Sequence, residues 1–282
     1  MTRFGAAAVL AIVIVTGGVT HAALDSIGAD QPATISSKAA RGVAFAPDAE
    51  CDLTTVTALG ERHPDVDQFV LMSTSSFAAT TGSVAVAVRT STGWRCQLAA
   101  RPAMFGRTGT RPLLERRSGD GTTPAGVFPL GVVTAWDDQV FSMFGNSADP
   151  GVLVPYRDVR PEDCWGATAG QASYGHLVSK RNCPGPDDEW LPRYHDVYSH
   201  AAVIGANLNP VSGDAPDEIP YASAIFLHRH SYTTTGSASG SAKPTSGCVS
   251  LAYDDLVNTL RIIDPRLNPH FAIGPTAYLN DV

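Results

Sequence analysis

The chain has 282 residues, a formal net charge of −7 and 44% apolar residues. That length admits one large domain or two small ones, and the apolar share is ordinary for a globular protein with a real core. Lysine is scarce and no basic run occurs, which argues against nucleic acid as a partner, because phosphate neutralisation needs clustered Lys and Arg.

Residues 1–22 read as a secretory signal. Arg3 supplies the positive start, Ala6 to Val15 is an uninterrupted apolar stretch too short to span a bilayer comfortably, and Thr20-His21-Ala22 places small residues at the cleavage positions. Membrane contact is expected only if that segment stays uncleaved. Cys51, the first cysteine, lies too far on for a lipid-anchored N-terminus. Residues 23–48 are rich in Ala, Ser, Gly and Pro and read as a flexible spacer. A single folded domain is expected over 49–282, with its core from about 65.

From there the pattern is that of strands. Gln68-Phe69-Val70-Leu71-Met72 is a buried-strand candidate. Ser83 to Arg89 alternates at period two and is followed by the turn Ser91-Thr92-Gly93. Trp94–Ala103, Val127–Val133, Ala201–Gly205 and Ser223–Leu227 are further candidates. Helical spacing is clearest from Ala252 to Ile263, where Leu256, Leu260 and Ile263 recur, Asp254 and Asp255 occupy the first turn and Pro265 ends the run. The expected class is mainly β, a sandwich or barrel with one or two short helices.

Five cysteines follow the export signal. An oxidising compartment favours pairing, and sequence proximity suggests Cys51–Cys96 and Cys164–Cys183, although four cysteines allow three pairings. Cys248 is then the odd one. It sits in Pro244-Thr245-Ser246-Gly247-Cys248-Val249, where Gly247 permits a close backbone approach. A cysteine just ahead of a helix start would lie near free N–H groups that favour thiolate and can bind an oxyanion. His228 ends the apolar run Ala224-Ile225-Phe226-Leu227 and is the expected base. His228 and His230 share one face of a strand, a spacing that also suits a metal pair, but no further ligand set accompanies them. No Gly-x-Ser-x-Gly elbow, phosphate loop or dinucleotide fingerprint occurs. The Ser118–Gly126 stretch reads as consecutive turns with an architectural role.

These residues resemble the L,D-transpeptidase (YkuD-like) family of bacterial cell-wall enzymes, in the branch common among actinobacteria. Gly106-Arg107-Thr108-Gly109 and Gly119 to Phe128 resemble the family's opening hairpins. Tyr198 with Val203-Ile204-Gly205-Ala206-Asn207 resembles the strand ahead of the active site, and Ser223 to His228 with Pro244 to Val249 resemble the histidine and cysteine motifs. The resemblance implies a β-sandwich-like catalytic fold with no metal or organic cofactor. It implies Cys248 as nucleophile, His228 as general base, and Gly247 and Cys248 as backbone oxyanion donors. Ser246, Asn207 and His230 are expected substrate contacts. The implied partner is a peptidoglycan stem peptide, cross-linked outside the cytoplasm at the cell wall. An L,D-carboxypeptidase using water, or a silent wall-binding protein on the same scaffold, are the rival readings. The chain departs from the family at Ser246, where many members have histidine, at Ser250, where many have arginine, and in the longer loop 231–242.

Overall fold

The computed structural model describes residues 50–208, 222–233 and 240–282. The expected signal at 1–22 and spacer at 23–48 lie outside these residues, as do positions 234–239 of the loop 231–242. In chain order the elements are α1 (Leu53–Arg62), β1 (Gln68–Thr74), β2 (Thr81–Thr90), β3 (Gly93–Met104), β4 (Thr110–Pro112), β5 (Thr123–Pro129), β6 (Val133–Thr134), β7 (Val140–Phe141), β8 (Met143–Gly145) and β9 (Tyr156–Asp158). They continue with β10 (Asp163–Trp165), β11 (Leu177–Ser179), β12 (Glu189–Trp190), β13 (Ala201–Val203), β14 (Phe226–Arg229), β15 (Val249–Leu251), α2 (Tyr253–Ile262), β16 (His270–Pro275) and α3 (Thr276–Leu279). The protein is mainly β.

One mixed sheet of eleven strands runs in the order β4-β5-β16-β1-β2-β3-β15-β14-β13-β8-β9. Its middle strands bury side chains on both faces, which explains why β1 reads as a continuous apolar run. Phe69 and Leu71 join Val56 and Leu59 of α1, whereas Val70 and Met72 join Val84, Leu227, Val249 and Leu256 in a second cluster. A third cluster holds Phe144, Trp165, Tyr198, Phe226 and Cys248.

The helix expected over Ala252–Ile263 forms, with Leu256 and Leu260 buried. The chain also forms α1 and the single-turn α3, giving three helices among the described residues against the one or two expected. The sequence of α1 carries three threonines, poor helix formers. Its start is fixed by Asp52, whose carboxylate accepts the Thr55 N–H at 3.0 Å and the Thr55 hydroxyl at 2.8 Å. The segment expected as one strand over Val127–Val133 splits: β5 ends at Pro129 and β6 starts at Val133, because Pro129 and Gly131 interrupt it.

Both expected disulfides are present, with Cα separations of 5.6 Å for Cys51–Cys96 and 6.1 Å for Cys164–Cys183. Two bridges favour an oxidising environment. Among the described residues no helix is long and apolar enough to cross a membrane. The second bridge ties β10, in the small β11-β10-β12 sheet, to the segment leading into β12. That small sheet stands on an ion cluster. Arg157 of β9 donates to Asp163 through Nε at 2.8 Å and Nη2 at 2.6 Å, and to Asp137 at 2.9 Å. Trp136 adds an N–H to Asp163 at 3.0 Å. Arg157 and Asp163 are fully buried.

Removing one member of such a cluster leaves an uncompensated buried charge. Arg157→Ala is expected to cost about 3–5 kcal/mol of stability, measured by urea unfolding. A loss below about 1 kcal/mol, the range of an exposed pair, would contradict this account.

Candidate active site

The site is built by the parallel pairing of β14 with β15. Leu227 faces Val249, His228 faces Ser250 and Arg229 faces Leu251. Side chains two apart on a strand share a face, so Phe226, His228 and His230 line up beside Cys248 and Ser250. His228 and Cys248 therefore stand one pleat apart on one face of the sheet. Leu227, Val249 and Leu251 go to the opposite face, into the cluster covered by α2.

The turn before Cys248 is held by hydroxyls. Thr245 Oγ1 accepts the Gly247 N–H at 3.1 Å and donates to the Cys248 carbonyl at 2.6 Å. Thr123 Oγ1 donates to the same carbonyl at 3.0 Å and accepts the Gly106 N–H at 2.8 Å. Thr245 is tied to Phe105 and Arg107 by two backbone hydrogen bonds of 2.8 Å. Gly247 takes φ +153°, and a Cβ there would approach the Thr122 carbonyl to 3.1 Å. That conformation and that contact require glycine. The Gly247 amide, an expected oxyanion donor, is thus engaged with Thr245 in the resting protein.

Cys248 carries the one free thiol, 7% exposed, and it borders a cleft of about 370 Å³. Its Sγ donates to the Ala224 carbonyl at 3.2 Å, and Ala224 itself sits at φ 54°. Burial, followed by the charge of Glu189, pushes the thiol far above its ordinary value, against smaller opposing effects of the Phe226 amide and Arg116. The resting sulfur is a neutral thiol. The helix expected from Ala252 starts at Tyr253, but β15 stands between it and Cys248, and the backbone group that favours thiolate is the Phe226 amide.

His228 is buried, and its Nδ1 donates to the Arg229 carbonyl at 2.7 Å. A carbonyl only accepts, so Nδ1 carries the proton and Nε2 keeps the lone pair a base needs. Burial holds the ring neutral, lowering its value to about 4. The Tyr198 ring meets the imidazole edge-on at 5.5 Å.

The remaining expected residues divide. Ser246, Gly247 and Cys248 line the cleft; His228, His230 and Asn207 do not. His230 Nδ1 is paired with the Ser250 hydroxyl at 2.9 Å. Asn207 is buried at φ 55° and donates to the Ala222 carbonyl at 2.7 Å, a structural brace. Among the described residues no three His, Cys, Asp or Glu side chains converge as a metal site would require.

Two residues that sequence reasoning passed over complete the cleft. Arg116 is 3% exposed and lies two residues ahead of the Ser118–Gly126 stretch that reads as architectural in the sequence. Glu189 of β12 lines the same cleft, with its carboxyl hydrogen-bonded by the Tyr198 hydroxyl. The residue keeps some surface at the cleft, yet burial pushes its carboxyl up to about 7, more than the tyrosine bond pulls it down. The Arg116-Arg117 pair ahead of a tight turn, and an acid beside Trp190, are signals too common to have singled either out. Ser223 links this wall to β14: its hydroxyl donates to the Gly166 carbonyl at 2.6 Å and accepts from Trp165 at 3.1 Å and Gly175 at 3.2 Å.

The chain matches no protein-family model, no curated protein and no solved structure.

Glu189 and His228 pull stability in opposite directions with pH. Glu189 holds its proton in the folded state above the ordinary 4.5, so its stabilising contribution is present below that value and lost as pH rises through about 7. His228 resists protonation down to about 4, so its contribution is present above the ordinary 6.5 and lost as pH falls. The stability of the native chain relative to Glu189→Gln should fall between pH 4.5 and 7. Relative to His228→Gln it should rise between pH 4 and 6.5. Urea unfolding across that range checks both, and parallel profiles for all three proteins would refute the assignments.

Proposed function

We propose that the chain is a peptidoglycan L,D-transpeptidase acting through a Cys248 thioester, with the β-sandwich-like catalytic fold of that family, working outside the cytoplasm at the cell wall. One observation carries the reading. Four of the five cysteines are bridged, and the fifth borders a cleft with a tautomer-fixed imidazole on the same sheet face. An odd cysteine in a disulfide-bearing secreted protein points to a reactive thiol or to intermolecular pairing, and this one is 7% exposed at a cleft, which favours the former.

The reaction runs as two acyl transfers. A tetrapeptide stem entering the cleft draws the thiol from the Ala224 carbonyl, and the S–H proton passes to His228 Nε2. The sulfur attacks the carbonyl of the third residue. The C–N bond to the terminal D-alanine breaks, and that amine leaves with the proton held by His228. The amine of a second stem then attacks the thioester, forming the cross-link between third residues and returning a proton to the sulfur through His228. Water in place of the amine gives the L,D-carboxypeptidase reaction. Gly247 and Cys248 amides are the donors for the tetrahedral oxyanion, the former after release from Thr245. No cofactor enters either step.

Purified protein incubated with a tetrapeptide stem or a carbapenem should gain the acyl mass on intact-mass analysis, and Cys248→Ser should not. His228→Ala should acylate about 10²-fold more slowly or worse. Absence of any adduct on the native chain would leave a silent wall-binding protein; an unchanged rate in His228→Ala would pass the role of base to His230. Dimer formation supports the transpeptidase, and tripeptide release alone the carboxypeptidase.

A further inference from the structure

The proposed transfer to an amine must dispose of a proton that His228 does not meet. His228 serves the Cys248 thiol, but it is buried and does not border the cleft. The acceptor is a primary amine, and an aliphatic amine of ordinary basicity is charged at neutral pH. It enters the cleft as an ammonium and must lose a proton before its nitrogen can attack.

Glu189 is placed to take that proton. It lines the cleft together with Cys248, and its charge acts on the sulfur. Its backbone is fixed in β12, where it pairs with Trp165, the neighbour of the bridged Cys164. Its carboxyl accepts the Tyr198 hydroxyl, and the Tyr198 ring packs edge-on against Phe226 at 5.6 Å and His228 at 5.5 Å. One tyrosine therefore braces both the carboxyl and the imidazole. Among the described residues Glu189 forms no ion pair with Lys or Arg, and that hydroxyl is its one side-chain partner. A desolvated carboxylate without a cation fits a cationic ligand. The other charged groups of the cleft do not offer this. Asp188 is committed to its own loop, accepting the N–H groups of Ala167, Thr168 and Gly185 at 2.9 Å each. Asp187 is exposed, and the guanidiniums of Arg107 and Arg116 accept no proton. Burial brings the Glu189 carboxyl up to about 7, where a group exchanges protons well at neutral pH.

We propose that Glu189 is a further catalytic residue of the cleft, binding the acceptor ammonium beside Cys248 and removing one of its protons. This rests on the reading of Cys248 as an acyl-transfer nucleophile and adds the base for its second half. The ammonium gives one proton to the Glu189 carboxylate. The neutral amine attacks the thioester carbonyl, the C–N bond forms and the C–S bond breaks, and a second proton passes from nitrogen through His228 to the sulfur. Glu189 then releases its proton to solvent. The transfer also helps the sulfur leave, because the Glu189 charge opposes negative charge there and protonation removes it.

The acyl-enzyme formed from a tetrapeptide stem tests this with two small acceptors of similar size. Methylamine is an ammonium at neutral pH, whereas hydroxylamine is largely neutral and has no proton to lose before attack. The ratio of their aminolysis rates, read by intact mass and product analysis, cancels changes in the thioester itself. In the native protein the ratio of methylamine to hydroxylamine should exceed that of a small thioester in the same buffer. In Glu189→Gln it should fall about 10²-fold, the usual size of base removal. Glu189→Asp, which keeps a carboxylate one methylene short, should lie between, and it carries the test alone if the glutamine variant unfolds. Equal ratios in native and variant proteins would overturn the proposal and keep the nucleophile. A native acyl-enzyme that water cleaves and methylamine does not would overturn it as well, leaving the carboxypeptidase. A native chain that forms no acyl-enzyme would reject both readings.

Discussion

The geometry of the candidate site depends on the register between β14 and β15. Paired side chains share a face and the period is two, so a slip of one residue would turn Cys248 away from the cleft and His228 into the opposite cluster. Several contacts pin the register at once. The His230 N–H donates to the Leu251 carbonyl at 2.8 Å, and the His230 ring meets the Ser250 hydroxyl. On its other edge β15 pairs with β3 through Ser250 with Met104 and Leu251 with Ala103. The Cys248 carbonyl is gripped by Thr123 and Thr245. Apolar alternation does the rest, with Phe226 and Cys248 in one cluster and Leu227, Val249 and Leu251 in another. Ser250 therefore has a structural reason to be small and polar: it is fully buried under His230, where a longer charged side chain would have no space.

Much of this was legible in the sequence because the informative segments are local. The runs at β1, β2, β3 and β14 declare themselves by apolar content or alternation, and α2 by its period. The thiol was legible by arithmetic, since five cysteines in a disulfide-bearing chain leave one over. The cleft's other walls were not. Arg116 and Glu189 are 73 positions apart in the chain and come from elements of three residues or fewer and the turns between them, where periodicity has nothing to act on. Tyr198 entered only as part of a strand motif, and its bond to Glu189 is a tertiary fact. The same limit explains α1: its threonines mask a helix that a capping aspartate and two buried apolar side chains, Val56 and Leu59, stabilise.

Around the cleft, groups that would be costly elsewhere are held together by rigid neighbours. A covered guanidinium, a carboxyl shifted toward neutrality and a desolvated thiol each lower stability by themselves. The frame that offsets them is visible on both sides. Asp120 shapes the turn beside Arg116 by accepting the Arg117 and Thr122 N–H groups. Around β12 the Cys164–Cys183 bridge, the Asp188 loop contacts and the Arg157 ion cluster brace the small sheet and so place Glu189. Sites that violate ordinary burial rules persist where the surroundings over-determine them.

The resting state of the sulfur follows from the same balance. Exchange with disulfides requires thiolate, and this thiol is kept neutral by burial, by the nearby Glu189 charge and by an S–H bond to Ala224. In a chain with two bridges, a permanently ionised fifth cysteine would compete for partners while the chain folds. Two influences work the other way, the Phe226 amide and the Arg116 charge. Both are part of the fixed frame, whereas Glu189 titrates near neutrality. A change that neutralises Glu189 or brings the sulfur off the Ala224 carbonyl therefore shifts the balance toward ionisation without moving the backbone. Under the proposed acyl-transfer reading, reactivity is set by what occupies the cleft, and the imidazole accepts a proton whose release the occupant has already favoured.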